Sequence, residues 1–222
     1  MNNYFVRKVL DEDQLRLVRI NFRNLEWFDG NETTNSSLKV SLSAVPEGDA
    51  YHFIDNLLIG EYFKNSRLKH MTQPKSSTLH TISKMEVGGK YGLHSDHWTN
   101  GHFSTTTFLS DPSSYDGGEL LLYIDGETKS FKLDAGHAIT YMTGIPHSVT
   151  PVTRGERHVA VNWITSEISD PALREIVGDV QHCKEIIWED YPLEDNFAND
   201  VNSPRHILAE LEHKIRRAYS KF

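Results

Sequence analysis

The sequence predicts an α+β fold with a mainly β core, a β-sandwich or jelly roll, flanked by N-terminal and C-terminal helices. Apolar residues recur with helical spacing before and after the middle of the chain, whereas residues 78–166 hold short runs rich in Thr, Phe, Leu, Val and Tyr. Glycine-containing turn signals separate these short runs. Many short strands joined by such turns are typical of two facing antiparallel sheets, which leave an open mouth for a ligand.

The N-terminal part is predicted to form one strand and two supporting helices. The strand is expected over 4–10. Asp11 with Gln14 three residues later is the pattern of a capping box, which opens a helix that we expect to end at Gly30. Asp49 is expected to cap the second helix. The apolar stripes consist of Leu15, Val18, Phe22 and Leu25 in the first helix and of Ile54, Leu57, Leu58 and Tyr62 in the second.

The clearest turn signal in the β region is Asp125-Gly126. Because both residues tolerate a positive φ, this dipeptide predicts a type I′ hairpin between strands at 119–124 and 128–133. A further strand is predicted at 137–142, since turn residues flank it on both sides. These strands indicate antiparallel pairing.

Helical patterns return after Ser166. Pro171 lies at the first-turn position of one predicted helix, and Ser203-Pro204 begins the last one. We expect these helices to support the sheets, and we assign them no chemistry.

Length and composition fit a single catalytic domain over residues 1–222, since 38% hydrophobic residues are enough for a core. Residues 1–77 are its predicted N-terminal support. Residues 78–166 are the jelly-roll core that carries the site, and residues 167–222 are a C-terminal helical extension.

The charge balance and the single cysteine limit the classes of partner. Lys and Arg number 23 against 31 Asp and Glu, a net charge of −8, so no basic field attracts a phosphate backbone and nucleic acid is not an expected partner. Cys183 alone forms no internal disulfide, and the first residues lack the pattern of a signal peptide. No apolar stretch approaches the length of a membrane span. We therefore expect a cytoplasmic protein without a membrane partner, of undetermined oligomeric state.

His94, Asp96 and His147 form the candidate metal site. Side chains two residues apart in a strand share a face, so His94 and Asp96 can converge on one ion, and His147 follows much later. Two imidazoles and one carboxylate leave open coordination positions, the arrangement of non-heme Fe(II) oxygenases. The alternative is a surface hydrogen-bonded pair, His94 with Asp96, and a structural histidine at 147.

Arg157 is the candidate cosubstrate residue. The segment 157–163 alternates with period two, which places Arg157 beside Val159, Val161 and Trp163 on a mostly apolar face. An arginine among such neighbours needs an anionic partner, because an unpaired buried charge is unfavourable. Its planar guanidinium offers two parallel N–H donors to a carboxylate, so an acidic cosubstrate fits; the alternative is half of an internal ion pair.

The chain resembles the PKHD-type hydroxylases, a group of prolyl 4-hydroxylase-like Fe(II)/2-oxoglutarate dioxygenases. The resemblance spans roughly 80–175 and lies in His94-Ser95-Asp96 and in the segments 106–112, 115–120, 146–157 and 162–166. It implies a double-stranded β-helix with Fe(II) bound by His94, Asp96 and His147 and 2-oxoglutarate paired with Arg157. It also implies that Trp163 and Trp98 line the substrate pocket.

The reaction implied by this resemblance is hydroxylation of an unactivated C–H bond with 2-oxoglutarate and O2, releasing succinate and CO2. Ascorbate is the implied accessory reductant. The substrate is a small molecule or a peptide, with peptidyl proline as the default. Two rival functions stay open at this point: a cupin-like metal enzyme that does not use 2-oxoglutarate, and a non-catalytic jelly-roll binding protein.

The sequence departs from the family pattern before the first ligand. The family commonly has a 2-oxoglutarate-binding tyrosine about nine residues upstream, but this chain has Met85 there. Tyr91 and Thr106 are candidates to supply a hydroxyl instead, and each is equally explained as an ordinary strand residue. His94-x-x-His97 also resembles a zinc pair, but residue 97 of a continuing strand would point away from 94, so we expect His97 at the surface or facing substrate.

Overall fold

The computed structural model describes residues 4–33, 38–190 and 203–219. The described residues form two compact units, one made of those within 4–62 and 77–164 and the other of those within 63–76 and 165–219. In the described part of the chain, no helix is both long and apolar enough to cross a bilayer. That the whole chain acts as one catalytic domain stays a prediction.

The elements of the described residues alternate short strands with a few helices. In chain order they are β1 (Tyr4–Lys8), α1 (Glu12–Phe22), β2 (Trp27–Asp29), β3 (Lys39–Val40), β4 (Leu42–Ala44), α2 (Gly48–Lys64), α3 (Ser66–Thr72), β5 (Pro74–Ser77), β6 (Thr81–Met85), β7 (Lys90–His94), β8 (Phe103–Phe108), β9 (Asp116–Gly117), β10 (Leu120–Ile124), β11 (Glu127–Phe131), β12 (His137–Met142), β13 (His147–Val149), β14 (Val152–Arg154), β15 (Arg157–Ser166), α4 (Pro171–Asp190) and α5 (Pro204–Tyr219). Single 3-10 turns occupy Gly30–Thr33, Trp98–Asn100 and Pro112–Ser114.

Two antiparallel sheets build the first unit. The larger runs β1-β12-β8-β15-β6-β4-β2, the smaller runs β11-β10-β13-β7-β3, and β14 pairs with β9. Buried apolar side chains from both sheets form one cluster, in which Phe108, Ile139 and Val159 come from the larger sheet and Leu120 and Leu122 from the smaller. The core therefore lies between facing sheets, and the prediction of a mainly β jelly roll with added helices is confirmed.

Helix α1 begins as predicted but ends earlier. The Gln14 backbone N–H donates to Asp11 Oδ1 at 2.8 Å and the Asp11 N–H donates to Gln14 Oε1 at 2.9 Å, so the capping box is confirmed. The predicted end at Gly30 is wrong, because residues after Phe22 leave the helix and form β2, which pairs with β4. A Cβ at Gly30 would lie 2.3 Å from Ser41 Oγ, so this glycine permits a close strand approach rather than ending a helix.

The second helix and the first strand differ from their expected bounds by one or two residues. Helix α2 starts at Gly48, so Asp49 lies in its first turn instead of capping it. At that position the carboxylate still interacts favourably with the positive end of the helix dipole. Strand β1 stops at Lys8, because the backbone N–H groups of Val9 and Leu10 both turn to Gly136 O.

The hairpin around Asp125-Gly126 is confirmed. Both residues have positive φ values, 53° and 79°, as a type I′ turn requires, and β10 pairs with β11 around them. Strand β12 has the predicted bounds, 137–142.

Three very short strands were not predicted and complete the sheets from the N-terminal side. In the larger sheet, β4 pairs with β6 and β2 pairs with the other edge of β4. In the smaller sheet, β3 pairs with β7. Runs of two or three residues carry no periodicity of their own, so only their pairing partners define them. The pairing of β3 places Lys39 opposite Tyr91.

The second unit is helical, and both predicted helix starts are confirmed at Pro171 and Pro204. The short helix α3 was not predicted. Helix α4 packs against α3 and α5. Glu212 of α5 is buried and accepts hydrogen bonds from Gln181 at 2.9 Å and Lys184 at 2.6 Å of α4, which ties these two helices together.

Candidate metal and cosubstrate site

A cavity of about 490 Å³ lies within the first unit and is lined from both sheets. Seven of the eight residues predicted for the site line it, together with Met85. The seven are His94, Asp96, His147, Arg157, Tyr91, Thr106 and Trp163. Residues that are far apart in sequence therefore meet around one space of the volume that small ligands occupy.

Strand pairing brings the two predicted histidine ligands together. On the neighbouring strands β7 and β13, His94 lies opposite His147 and Tyr91 lies opposite Val149. Strand β7 thus has one more residue than β13 between these two pairs, which is a β-bulge. The two imidazole centroids are 4.1 Å apart.

Asp96 completes the cluster from just beyond the end of β7. His94 Nε2 lies 3.9 Å from Asp96 Oδ1, and His147 Nε2 lies 3.9 Å from Asp96 Oδ2. The candidate ligand atoms of all three residues lie within 4.8 Å of one another. The alternative of a surface pair between His94 and Asp96 does not describe this arrangement, since their side chains are only 17% and 11% exposed and their nearest charged atoms are 3.9 Å apart.

Backbone carbonyls fix how the two imidazoles face the cluster. His94 Nδ1 is 2.8 Å from Gly92 O, and His147 Nδ1 is 2.9 Å from Ile145 O. A carbonyl only accepts, so each Nδ1 carries the proton and each Nε2 presents a lone pair towards Asp96. Burial and the neighbouring His147 lower the pKa of His94, which favours the neutral imidazole that binds metals.

Two donors hold the Asp96 carboxylate. Ser104 Oγ donates to Asp96 Oδ2 at 2.7 Å and Trp163 Nε1 donates to the same oxygen at 3.0 Å. Trp163 was predicted only as a wall of the cavity, but it also orients the carboxylate. Such partners fix the direction of a ligand before a metal binds.

Arg157 is buried without an anionic partner. Its side chain is 2% exposed, its Nε has no hydrogen-bond partner, and no carboxylate of the described residues forms an ion pair with it. Burial lowers its pKa to about 10. Gly118 leaves room for this side chain, because a Cβ at that position would lie 2.9 Å from Arg157 Cδ. The internal ion pair considered from the sequence is not observed.

Two tyrosines near Arg157 were not identified from the sequence. Tyr141 is 2% exposed, hydrogen-bonds to the Thr106 hydroxyl, and has a pKa raised by burial and by the charge of Asp96. Tyr115 is fully buried, its hydroxyl has no partner, and burial raises its pKa. Both lie close enough to Arg157 to favour its charged form. Strand positions alone do not reveal which residues meet across two sheets.

The predicted hydroxyl donors Tyr91 and Thr106 both line the cavity. The Tyr91 ring stacks on the His94 imidazole with centroids 3.6 Å apart, and the Thr106 hydroxyl is bonded to Tyr141. Met85, which stands where the family has a tyrosine, is 3% exposed and pairs in register with Arg157. The position therefore borders the guanidinium but offers no hydroxyl.

Lys39 is a second buried cation in the cavity wall that the sequence did not indicate. It is 6% exposed, and its Nζ donates to Thr33 Oγ1 at 2.8 Å and lies 5.6 Å from the Tyr91 ring centroid. Burial lowers its pKa to about 8. A lysine in a two-residue strand gives no sequence signal.

Trp98 lies elsewhere than expected. Its side chain is 78% exposed and does not line the cavity, because the chain turns into the 3-10 turn Trp98–Asn100 directly after Asp96 and His97. The prediction that Trp98 lines the substrate pocket is therefore wrong. His97 lies at the exposed edge of the cavity, with its Nδ1 2.8 Å from Thr99 Oγ1, and is not part of the ligand cluster.

Comparison with known proteins agrees with this geometry. Residues 80–165 match the 2OG-Fe(II) oxygenase superfamily. A PKHD-type hydroxylase from Hyphomonas neptunium is 33% identical over 198 residues, which cover 84% of this chain and 88% of that one. Another, from Maricaulis maris, is 45% identical over 113 residues, which cover 49% of this chain and 51% of that one.

Solved structures share the fold at low identity. A prolyl-4-hydroxylase from Pseudomonas putida superposes with a TM-score of 0.57 at 18% identity, covering 74% of this chain and 92% of its own. A prolyl hydroxylase from Trichoplax adhaerens, in complex with a peptide fragment of hypoxia inducible factor, gives 0.58 at 17% identity, covering 78% and 87%. Since the similarity to the Hyphomonas neptunium hydroxylase extends over most of both chains and the superfamily match spans the strands around the cavity, this chain belongs to the PKHD-type hydroxylases, which are 2-oxoglutarate- and Fe(II)-dependent oxygenases.

Proposed function

We propose that this enzyme hydroxylates an unactivated C–H bond in the cavity of the first unit, consuming O2 and 2-oxoglutarate and releasing succinate and CO2. The observation that carries the proposal is the convergence of His94, Asp96 and His147 beside Arg157, a buried cation without a carboxylate partner. The two features together match the two needs of the reaction: a site for a metal and a site for a diacid.

The donor set fits Fe(II). Two neutral imidazoles and one carboxylate are the ligands of the facial arrangement in non-heme Fe(II) oxygenases, which leaves positions for cosubstrate and O2. When bound, the ferrous ion supplies the activation of O2 that C–H hydroxylation requires. The protein prepares this site through the carbonyls behind both imidazoles and through the Ser104 and Trp163 donors to Asp96. We further propose ascorbate as the accessory reductant.

The cavity also fits 2-oxoglutarate. We assign its distal carboxylate to Arg157, because among the described residues this buried guanidinium has no carboxylate partner and its Nε has no hydrogen bond, so it gains most from a diacid. The Tyr115 hydroxyl, which is buried without a partner near Arg157, is our candidate for the role of the tyrosine that Met85 replaces, although Tyr115 does not itself line the cavity. We retain Tyr91 and Thr106 as further contacts, since both line the same cavity.

As substrate class we propose a peptidyl proline. Three of the structures that share the fold are named as prolyl hydroxylases, and the one from Trichoplax adhaerens binds a peptide. The exposed Trp98 and His97 next to Asp96 offer an apolar and a hydrogen-bonding group outside the cavity, where a chain would enter.

The test is turnover by the purified full-length chain with Fe(II), 2-oxoglutarate, ascorbate and air. Succinate would be quantified, and a library of proline-containing peptides would be screened for a mass gain of one oxygen. His147→Ala should abolish succinate formation, and Arg157→Ala should weaken it strongly. Arg154→Ala is the matched control, because Arg154 is an exposed arginine that pairs with Asp116 outside the cavity.

The result also separates the rival functions. Turnover that requires the metal but ignores 2-oxoglutarate would identify a cupin-like enzyme, and Arg157→Ala would then have no effect. Peptide binding without any oxygen gain would identify a binding protein. Hydroxylation of a non-proline position would retain the hydroxylase and overturn only the substrate class.

A further inference from the structure

We propose a second metal site in the helical unit, formed by His70, His182 and Glu185, that binds a divalent zinc ion and fastens helix α3 to helix α4. The candidate ligand atoms of these three side chains lie within 4.8 Å of one another, as do those of the cluster in the first unit. No part of the hydroxylation reaction uses these residues.

Helix geometry places two of the three donors. His182 and Glu185 are three residues apart on α4 and therefore project from one face of that helix. His70 comes from the last turn of α3. His70 Nε2 lies 3.2 Å from Glu185 Oε1, and the His70 and His182 ring centroids are 6.3 Å apart.

Close packing of the two helices holds His70 in this position. Gly178 is one turn before His182, and a Cβ there would lie 2.5 Å from the His70 carbonyl oxygen. Any other residue at 178 would force α3 away from α4. The Gln73 amide also donates to His70 O at 2.8 Å and to Gln181 Oε1 of α4 at 2.7 Å. The donors are therefore supported by backbone contact and by a hydrogen-bonded neighbour, as preorganised ligands are.

An ion pair alone does not account for the cluster. A pair between His70 and Glu185 needs one imidazole, but His182 brings a second one to the same carboxylate. The neighbouring Lys184 does not compete for Glu185, because its Nζ is bonded to Glu212 at 2.6 Å. All three side chains can offer a lone pair to a cation, and no lysine ammonium of the described residues occupies the space between them.

The chemistry of the donors favours zinc. Two imidazoles and a carboxylate at about 2.0–2.2 Å suit Zn²⁺, which imposes no geometry of its own and therefore tolerates positions set by two helices. The Glu185 side chain is 38% exposed, so water reaches the cluster and can fill a fourth position. Copper is the competitor that the general affinity order predicts, and iron binds more weakly than either.

Zinc binding to the full-length chain tests the proposal. The first-unit cluster also has zinc donors, so the wild type should bind two ions and His147→Ala should bind one. Adding His182→Ala to His147→Ala should weaken the remaining site by more than the roughly 10–100-fold that loss of an outer-shell partner causes. The matched control is His213→Ala, an exposed histidine on α5, in the same background. Metal would be counted by mass spectrometry after dialysis, and affinity measured by calorimetry.

Thermal unfolding supplies a second readout. Because a metal that binds only the folded state raises Tm, zinc should raise the Tm of His147→Ala and not that of His147→Ala/His182→Ala. His182 is exposed and its removal leaves the His70–Glu185 pair intact, so the two proteins should melt together without metal. A His147→Ala variant that binds no zinc, or equal zinc-induced Tm shifts in both variants, would overturn the proposal. Neither result bears on the hydroxylase site, which His147→Ala lacks.

Discussion

The two units of this protein contain the same set of donors, two histidines and a carboxylate, built in different ways. In the first unit the two histidines lie on neighbouring strands and Asp96 lies just beyond one of them, and the set faces a cavity between two sheets beside the buried Arg157. In the second unit it bridges two packed helices and meets solvent. Donor identity indicates a metal, whereas the surroundings of the donors decide whether chemistry is available there.

The largest effect on turnover should come from removing the carboxylate of the first cluster, with the carboxylate of the second cluster as its control. Asp96→Ala is expected to reduce succinate formation to background, because the buried imidazoles lose the anion that balances a divalent ion. Glu185→Ala should leave turnover unchanged when iron and 2-oxoglutarate are saturating. Succinate formed per minute is the measurement. Equal loss in both variants would show that the two clusters do not differ in function.

The next effect concerns the cation that only the first cluster possesses. Arg157→Lys keeps the charge but loses the two-pronged donor, so we expect 2-oxoglutarate binding to weaken by about 2–5 kcal/mol, as for other broken buried charge pairs. The KM for 2-oxoglutarate checks this. In Arg154→Lys, an exposed position, the KM should stay within a factor of two or so, since surface pairs contribute about 0–1 kcal/mol. An unchanged KM in Arg157→Lys would contradict the assignment.

A moderate effect is expected from the residues that orient Asp96. Ser104→Ala and Trp163→Phe each remove one donor to Asp96 Oδ2 and should lower Fe(II) affinity by roughly 10–100-fold. Excess Fe(II) should restore much of the activity, which a general loss of fold would not allow. Trp188→Phe, a half-exposed tryptophan on α4, is the control. Ser104→Thr keeps a hydroxyl and should retain more affinity than Ser104→Ala.

The smallest effect is a pH dependence of stability that originates at Lys39. Its pKa falls from 10.5 in the unfolded chain to about 8 in the folded one, so between these values the unfolded state binds more protons. The free energy of unfolding therefore rises as the pH increases from about 8 to 10.5. Below pH 8 the contribution of Lys39 to it is lowest, because Lys39 is then buried in its charged form. In Lys39→Met this rise should disappear. Urea unfolding at several pH values measures it, with the exposed Lys90→Met as control.

Much of the first cluster was predictable because alternation in strands is regular. The spacing of His94 and Asp96 and the period-two segment after Arg157 correctly indicated which side chains share a face. The hairpin at Asp125-Gly126 was equally predictable, since few residue types adopt its positive φ values. Local rules sufficed wherever the structure depends on neighbours in sequence.

The rest depends on pairing between distant segments. Tyr141 and Lys39 line the cavity and Tyr115 lies near Arg157, as a result of sheet packing and of the short strand β3, and neither leaves a pattern in sequence. The prediction that Trp98 lines the pocket failed because a single turn after Asp96 redirects the chain. The second cluster was missed for the same reason: the helix α3 that carries His70 was not predicted, and helical spacing relates only His182 to Glu185.

The bulge in β7 has a consequence for how this enzyme tolerates insertions and deletions. If one residue between Tyr91 and His94 were deleted and Val149 kept its partner, the ladder would run evenly and His94 would stay opposite His147, whereas deletion of Ser148 from β13 would shift the register and place Gly92 opposite His147. The exposed, apolar Leu93 is the side chain adjacent to that shift. Loss of the Ser148 codon should therefore abolish turnover, whereas loss of one codon at the bulge should leave the two imidazoles paired.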